Sequence, residues 1–237
     1  MSTLKKNSIR LMKASGAKTE SKIRECALKL LTTKGFDTTS IEEITRAAGV
    51  SKGTFYVHFK SKYDLLPALT DSLDIDYASY SESLVGESDA LAAFWSFTDI
   101  VLDTMEKFIG FDLLRVTYRA QIAGEVAIDP FIAKSRNLFK IYLNILERAK
   151  GEGLLREDVD CEAFSDHFVM AIRGMIFEWC TRSPNFDFRK EAMRHFEFLV
   201  NGITAAPVKS KFPVRKNKAG GKPPPIGAGK RRNARPH

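Results

Sequence analysis

The chain has 237 residues, of which 44% are apolar and 28% charged. These are the values of an ordinary globular protein of one or two domains, so a wholly disordered chain is excluded. No stretch approaches the roughly 18 consecutive apolar residues of a membrane span, and the basic residues 1–18 lack the apolar segment of a secretory signal. We therefore expect a cytoplasmic protein without a membrane partner.

The net charge of +8 comes from the two ends of the chain. Residues 1–18 hold five Lys or Arg, residues 207–237 hold ten, and neither segment has an acid. The body between them has 22 basic and 29 acidic residues, a net charge of −7. Basic ends favour anionic partners, first nucleic acid and second an anionic membrane. With six prolines and four glycines in its 31 residues, 207–237 is predicted to be a disordered basic tail, and 1–18 a shorter disordered arm.

The body reads as helical in chain order. A first amphipathic helix ends at Gly35. Ser40 and Glu43 have the spacing of a capping box that opens a short second helix, and Gly49 stops that helix.

The third and fourth helices follow directly. Ser51 is placed to cap the third, which reaches about Phe59. Ser61 caps the fourth, which runs towards Leu84, although Pro67 should bend it or delay its start.

Five further helices complete the body, and no alternating strand pattern competes with them. The fifth opens at Ser88, the sixth spans about Asp112 to Gly124, the seventh starts at Asp129 and Pro130 and ends at Gly151 or Gly153, the eighth covers about Cys161 to Thr181, and the ninth opens at Asp187. The sequence therefore predicts an all-α fold of about nine helices.

Residues 40–59 have the spacing of a helix-turn-helix, with Gly49 at the turn. The same pattern also fits a helical hairpin inside a bundle. The second helix of the pair is predicted to expose donors and small residues suited to a DNA major groove. These residues are Lys52, Gly53, Thr54, Tyr56 and His58.

The local sequence is more specific than this pattern. Residues 38–66, TTSIEEITRAAGVSKGTFYVHFKSKYDLL, resemble the DNA-binding domain of TetR-family transcriptional repressors, and the resemblance covers about residues 20–70. Two departures are Thr45, where the family commonly has alanine, and Pro67, where it usually lacks proline.

The resemblance implies a role for each matching residue. Tyr56 and Lys62 match phosphate contacts, Lys52, Gly53, Thr54 and His58 match positions that face bases or flanking phosphates, and Ser40 matches the cap of the helix whose amides meet the DNA backbone. A helix N-terminus suits phosphate, and lysine can donate to guanine.

The resemblance also divides the chain into four parts. Residues 1–18 form the arm, 19–66 the helix-turn-helix DNA-binding domain, 67–206 a helical domain for effector binding and dimerisation, and 207–237 the tail.

A small-molecule effector of unknown identity is expected to bind inside the helical domain, where aromatic residues need a few polar companions to form a pocket. Each candidate has an alternative as an ordinary core or surface residue. The candidates are Trp95, Arg115, Tyr118, Gln121, Tyr142, Asn144, His167 and Arg173.

The last two helices are apolar on more than one side and therefore need cover. Two from each of two subunits could form a four-helix interface, which is also the usual dimer of the family. Such a homodimer would place two recognition helices about one DNA turn apart, to read a palindromic double-stranded operator.

Enzyme motifs such as H-E-x-x-H and G-x-S-x-G are absent from the sequence, so we expect neither an enzyme nor a cofactor or metal. Two other classes stay open: a non-specific architectural nucleic-acid-binding protein without an effector, and a redox sensor acting through Cys161 or Cys180, for which inert buried thiols are the simpler explanation. The sequence favours a ligand-responsive repressor, which would be nucleoid-associated.

Overall fold

A computed structural model describes residues 2–83, 86–182 and 186–206, and in these ranges the chain is almost entirely helical. This confirms the predicted all-α fold. In the same ranges the pairing of Leu155 with Thr204 is an isolated β-bridge outside any strand. The helices are α1 (Ser2–Lys34), α2 (Ile41–Ala48), α3 (Lys52–His58), α4 (Pro67–Ser83), α5 (Ala90–Asp103), α6 (Phe111–Ile122), α7 (Asp129–Ile132), α8 (Asn137–Gly151), α9 (Cys161–Arg182) and α10 (Phe188–Asn201).

The first helix is longer than the sequence suggested. We expected a disordered arm over residues 1–18, but α1 begins at Ser2 and continues for 33 residues. The segment contains no proline and one glycine, Gly16, and it is rich in lysine, leucine and alanine. Nothing in it breaks a helix, and these residue types have good helix propensity. The basic tail, residues 207–237, lies outside the described residues.

The caps predicted for α2 are confirmed. The Ser40 hydroxyl accepts from the Glu43 amide at 3.2 Å, and the Glu43 carboxylate accepts from the Ser40 amide at 3.0 Å. Gly49 ends the helix with φ 65° and ψ 37°, a left-handed conformation that glycine adopts without steric cost. The turn into α3 is therefore fixed by residues close in sequence.

Proline decides how α4 starts. Ser61 caps a separate 3₁₀ turn, Lys62–Leu65, and α4 begins at Pro67. Proline suits the first position of a helix because the amide that it lacks has no partner there. Of the two effects expected of Pro67, the structure therefore shows the delayed start.

Helices α1, α2 and α3 share one small core, to which each contributes a fully buried side chain: Ile23, Ile44 and Phe55. The helix α1 also contacts α4 and the 3₁₀ turn, so this helix-turn-helix unit (α1–α3 with the 3₁₀ turn) rests on the rest of the protein. Burial of such side chains contributes about 1.5–3 kcal/mol each.

The helical body (α4–α10) is organised around α8, which contacts α4, α5 and α9. An aromatic cluster lies at these contacts, with ring centroids 4.7 to 5.2 Å apart. Its members are Phe94, Phe97, Tyr142, Phe168 and Phe196, all fully buried.

The helix predicted to run from Asp129 to Gly151 is interrupted. A single turn, α7, ends at Ala133, whose backbone is extended with ψ 129°, and α8 starts only at Asn137. The guanidinium of Arg136 donates to the Phe131 carbonyl at 3.1 Å and holds the intervening loop in place.

Two boundaries near α5 also differ. The cap of α5 is Asp89, one residue after the expected Ser88, and it accepts from the Ala92 amide at 2.8 Å. After Asp103 the chain continues as a π-helical turn, Thr104–Ile109, which ends at Gly110.

Candidate functional site

The exposed side of α3 carries three of the residues that the sequence analysis predicted to face DNA, Lys52, Gly53 and Tyr56. Lys52, Gly53, Tyr56 and Val57 are exposed and lie four residues apart in pairs, so they share one side of the helix. Tyr56 is 48% exposed, while its neighbour Phe55 is fully buried against α1 and α2. The helix therefore offers a polar and apolar surface about seven residues long, held rigidly from behind.

Val57 is a residue that the sequence analysis missed. It is 80% exposed, which is unusual for an apolar side chain next to a well-formed core. An apolar group on such a helix can contact the methyl group of thymine in the major groove. The signal was present in the sequence, since Val57 follows Tyr56 and lies five residues after Lys52.

The first turn of α3 is capped from its own segment. The Ser51 hydroxyl accepts from the Thr54 amide at 3.0 Å and shares a hydrogen bond with the Thr54 hydroxyl at 2.9 Å. Thr54 is therefore only partly exposed. The remaining amides of this turn and the exposed cap of α2, Ser40, are the groups that would meet phosphate.

Two exposed ion pairs lie in the helix-turn-helix unit. The ammonium group of Lys52 donates to the Glu42 carboxylate, and that of Lys34 donates to Glu43 at 2.6 Å. The bond from Lys52 holds the pKa of Glu42 below its usual value and raises the pKa of Lys52. Lys52 therefore stays charged, and any DNA acceptor must compete with Glu42.

The side chain of Lys62 makes more contacts within the protein than expected of a residue that only binds phosphate. Its ammonium group donates to the carbonyls of Phe36 and Thr39, the second at 2.9 Å, and lies 4.2 Å from the centre of the Phe36 ring. Burial lowers the pKa of Lys62. Two of its three N–H groups are used within the protein, which leaves the third for a phosphate.

His58 does not lie on the exposed side of α3, contrary to the expectation. Its side chain is 15% exposed and its Nδ1 is 3.8 Å from the carboxylate of Glu20 in α1. The reason is helical geometry: His58 lies three residues after the buried Phe55 and so turns towards the same neighbour.

The body contains an apolar cavity of about 80 Å³. It lies between α4, α5 with its π-helical turn, α6, the α7–α8 region and α9, and side chains such as Leu73, Val101, Leu114 and Ile172 line it. Three of the predicted effector residues also line it: Tyr118, Gln121 and Arg173.

These three polar residues form one group between α6 and α9. The Arg173 guanidinium donates to the side-chain oxygen of Gln121 at 3.1 Å, and its carbon lies 5.5 Å from the centre of the Tyr118 ring. The Tyr118 hydroxyl donates to the Arg173 carbonyl at 2.9 Å. Burial, opposed by Arg173, raises the pKa of Tyr118 to about 12, so its hydroxyl remains a donor.

A second arginine in the cavity wall was missed from the sequence. Arg136 donates through two nitrogens to the carboxylate of Asp74, at 3.0 and 3.3 Å, and so ties the start of α8 to α4. The amide of Asn137 adds a hydrogen bond of 2.8 Å to the Asp74 carbonyl. Since these partners lie 62 and 63 positions apart, no local pattern could reveal them.

The other predicted effector residues lie away from the cavity. Trp95 and Tyr142 are 4% and 0% exposed, and they belong to the packed core rather than to the cavity wall. Arg115, Asn144 and His167 are exposed on the surface of the body. The side chains of these three residues are polar, but their positions on the helices turn them away from the cavity.

Other kinds of site find little support in the described ranges. There, no group of three His, Cys, Asp or Glu side chains could hold a metal ion. Burial raises the pKa of Cys161 and raises that of Cys180 to about 11, which disfavours a reactive thiolate. Among the described helices, none combines the length and apolar character needed to cross a membrane.

Comparison with known proteins points in one direction. Residues 23–69 match the family described as "Bacterial regulatory proteins, tetR family". The HTH-type transcriptional regulator AcrR of Shigella flexneri is 24% identical over 217 residues, 84% of this chain and 95% of the relative. The uncharacterized HTH-type transcriptional regulator YvdT of Bacillus subtilis is 28% identical over 142 residues, 58% of this chain and 68% of the relative.

The fold has solved counterparts as well. A TetR-family transcriptional regulator from Pectobacterium atrosepticum superposes with a TM-score of 0.65 at 16% identity, over 82% of this chain and 98% of that structure. At this level of identity the likeness concerns the fold. It includes both the helix-turn-helix unit and most of the helical body.

Proposed function

As a member of the TetR family of helix-turn-helix transcriptional regulators, this chain regulates transcription, and we propose that it does so as a dimeric repressor. In this proposal the dimer binds a palindromic operator and leaves it when a small molecule fills the cavity of the body. The observation that carries the proposal is the exposed surface of α3, with Lys52, Tyr56 and Val57 on a helix whose opposite side is locked into a core.

On DNA, we assign different roles to the residues of this unit. Lys52 and Val57 face base edges, because lysine suits guanine and valine suits the thymine methyl group. Gly53 lets the helix approach closely, and Tyr56 and the remaining N–H of Lys62 meet phosphate. Contacts to phosphate position the protein without selecting a sequence.

The proposed dimer forms through α9 and α10. The exposed side of α9 carries a regular row of uncharged residues and one histidine. On α10, Phe198 is 67% exposed. Large exposed apolar side chains on two helices that pack on each other are typical of an interaction surface. The row consists of Ala163, His167, Met170, Gly174 and Phe177.

Release from DNA is proposed to pass through α4. This helix starts at the 3₁₀ turn of the helix-turn-helix unit, contributes Thr70 and Leu73 to the cavity wall, and is tied to α8 by Asp74. A ligand that separates the cavity walls would therefore move α4. By linkage, DNA must weaken ligand binding by the same factor by which the ligand weakens DNA binding.

Selection of bound DNA from a random pool tests the proposal. We expect one palindromic motif and one discrete footprint per dimer, whereas an architectural protein would coat many sequences. Lys52→Ala should reduce discrimination at one base pair by about 1–3 kcal/mol. Lys140→Ala, which removes an exposed lysine from α8 in the body, is the matched control and should leave the motif unchanged.

Lys62→Ala tests whether Lys62 contacts phosphate while Lys52 contacts a base. It should weaken binding to all sequences to a similar degree, because a phosphate contact carries no direct sequence information. A change of the preferred bases in Lys62→Ala, with none in Lys52→Ala, would contradict the two roles.

A further inference from the structure

The two arginines of the cavity wall differ in their partners. Arg136 is held by the carboxylate of Asp74 at 3.0 Å. Arg173 bonds to the neutral amide of Gln121, and across the described residues no ion pair joins its guanidinium to an acid. The cavity therefore contains one half-buried positive charge that the protein itself does not neutralise.

The position of this charge is fixed from two sides. The Arg173 guanidinium stacks on the Tyr118 ring, with 5.5 Å from its carbon to the ring centre, while the Gln121 oxygen holds one nitrogen at 3.1 Å. Its other N–H groups keep the planar fork that matches a carboxylate. Because the oxygen of Gln121 accepts from Arg173, the amide nitrogen of Gln121 is left as a second donor.

The rest of the wall is apolar except for Thr70 and Thr117, whose hydroxyls donate to the carbonyls of Pro67 and Leu113. Among the described residues that line the cavity, none is Asp or Glu, so a cationic ligand would meet a positive charge without any compensating acid. Apolar side chains such as Met105, Ile109 and Phe131 surround the space next to the polar group. These surroundings favour a ligand with a hydrocarbon body and one negatively charged end.

We propose that the effector is a small monocarboxylic acid whose carboxylate binds Arg173 and Gln121 and whose hydrocarbon body fills the apolar part of the cavity. This inference rests on the proposed function, since it names the class of ligand for the same cavity. A carboxylate at this point also completes the pairing of Arg173, which a neutral ligand of the same shape cannot do.

The size of the cavity limits the body of the acid. At about 80 Å³ it has roughly half the volume of the engineered apolar cavity, about 150 Å³, that binds benzene. Short chains therefore fit without movement of the walls, and longer ones must separate α4 from its neighbours. The ligand that releases DNA is then expected to be longer than the one that merely fits.

Calorimetric titration of the full-length protein tests the proposal. The probes are the straight-chain acids from propanoate to octanoate and the matching primary alcohols. We expect the acids to bind about ten- to a hundred-fold more tightly than the alcohols, the usual effect of a charged hydrogen bond. Arg173→Gln should lose this preference, so that acid and alcohol of equal length bind alike.

Two further variants keep the test decisive. Arg119→Gln removes an exposed arginine from α6, the helix of Tyr118 and Gln121, and should bind acids as the unmodified protein does. Arg173→Lys retains the charge but lacks the fork, so it should show an intermediate loss even if Arg173→Gln folds poorly. Thermal unfolding of each variant reports whether the body is intact.

Acids and alcohols that bind equally to the unmodified protein, an Arg173→Lys variant with undiminished preference for acids, or a complete lack of acid binding would each overturn the proposal. The proposed function fails separately, when no small molecule of any class releases the selected operator. If only a neutral compound releases DNA, the proposed repressor function stands, and the proposal that the effector is a carboxylic acid is wrong.

Discussion

The helix-turn-helix unit and the cavity of the body are fixed by contacts of very different range along the chain. In the first, Ser40 with Glu43 and Ser51 with Thr54 set the helix ends over three residues. In the second, Arg136 reaches Asp74 across 62 positions, and Arg173 reaches Gln121 across 52. The exposed side of α3 can therefore be specified locally, whereas the cavity exists only once the whole body has folded.

The largest effect is expected in the core of the helix-turn-helix unit. Phe55→Ala removes a fully buried ring that packs against Phe59 at 5.3 Å, and it should cost about 3–5 kcal/mol of unfolding free energy. Denaturant unfolding with DNA binding as a second readout measures this. The side chain of Val57 on the same helix is 80% exposed. Val57→Ala should therefore change the unfolding free energy by less than about 0.5 kcal/mol. Equal costs for both would mean that α3 is not docked as described.

The second-largest effect on stability is expected at the ion pair between Arg136 of the α7–α8 region and Asp74 of α4. The side chains of Arg136 and Asp74 are 12% and 21% exposed, so Arg136→Met leaves a carboxylate largely buried and unpaired, at a cost of about 3 kcal/mol. Arg182→Met breaks a pair with Glu178 in which the arginine is 64% exposed, and it should cost less than about 1 kcal/mol. Chemical denaturation gives both values. If Arg136→Met proved as mild as Arg182→Met, α4 would not depend on this pair.

A smaller effect is expected at the turn between α2 and α3. Gly49→Ala places a side chain on a backbone with φ 65°, which costs about 1–2 kcal/mol. The matched control is Gly53→Ala inside α3, where an added Cβ meets the Ser51 oxygen at an ordinary 3.7 Å and should stabilise the helix by about 0.5–1 kcal/mol. Thermal unfolding distinguishes the two signs. A stabilising Gly49→Ala would contradict the left-handed turn.

The smallest effect is a pH dependence at the cap of α2. The bond from Lys34, aided by the Ser40 amide, lowers the pKa of Glu43 from 4.5 to about 2 in the folded state. Stability from this group is therefore present above about pH 4.5 and is lost as the pH falls towards 2. The difference in unfolding free energy between the unmodified protein and Glu43→Gln should shrink over this range. Lys34→Met should narrow the pH range over which this stability is lost. A difference in unfolding free energy that grew as the pH fell would contradict the lowered pKa of Glu43.

The features that the sequence predicted correctly are those fixed by residues close together in the chain. The caps at Ser40 and Ser51 and the turn at Gly49 were predictable because each depends on residues within one helical turn. His58 was misplaced because a polar side chain was assigned to the exposed side of α3, although its position three residues after the buried Phe55 turns it towards α1. Tyr118, Gln121 and Arg173 were named among eight candidates by residue type alone, and only the packing of α6 on α9 separates them from the other five.

Arg136 and Val57 show the two ways in which prediction fell short. Arg136 gives no signal in the sequence, because its partner lies on another helix and its own segment looks like the inside of a continuous helix. Val57 did give a signal, since its register in α3 is that of the exposed side. The sequence analysis considered only the donors and small residues of α3 and therefore did not include it.

Under the proposed function, the ion pair between Lys52 and Glu42 has a kinetic consequence. On unrelated DNA, Glu42 would keep the lysine and its negative charge would repel the nearby phosphates, so each encounter would be brief. An exposed pair of this kind is worth only about 0.2–1 kcal/mol, less than a good contact to guanine supplies. Lys52 would therefore change partner only at the correct site, and the final complex would lose no more than the small energy of the pair.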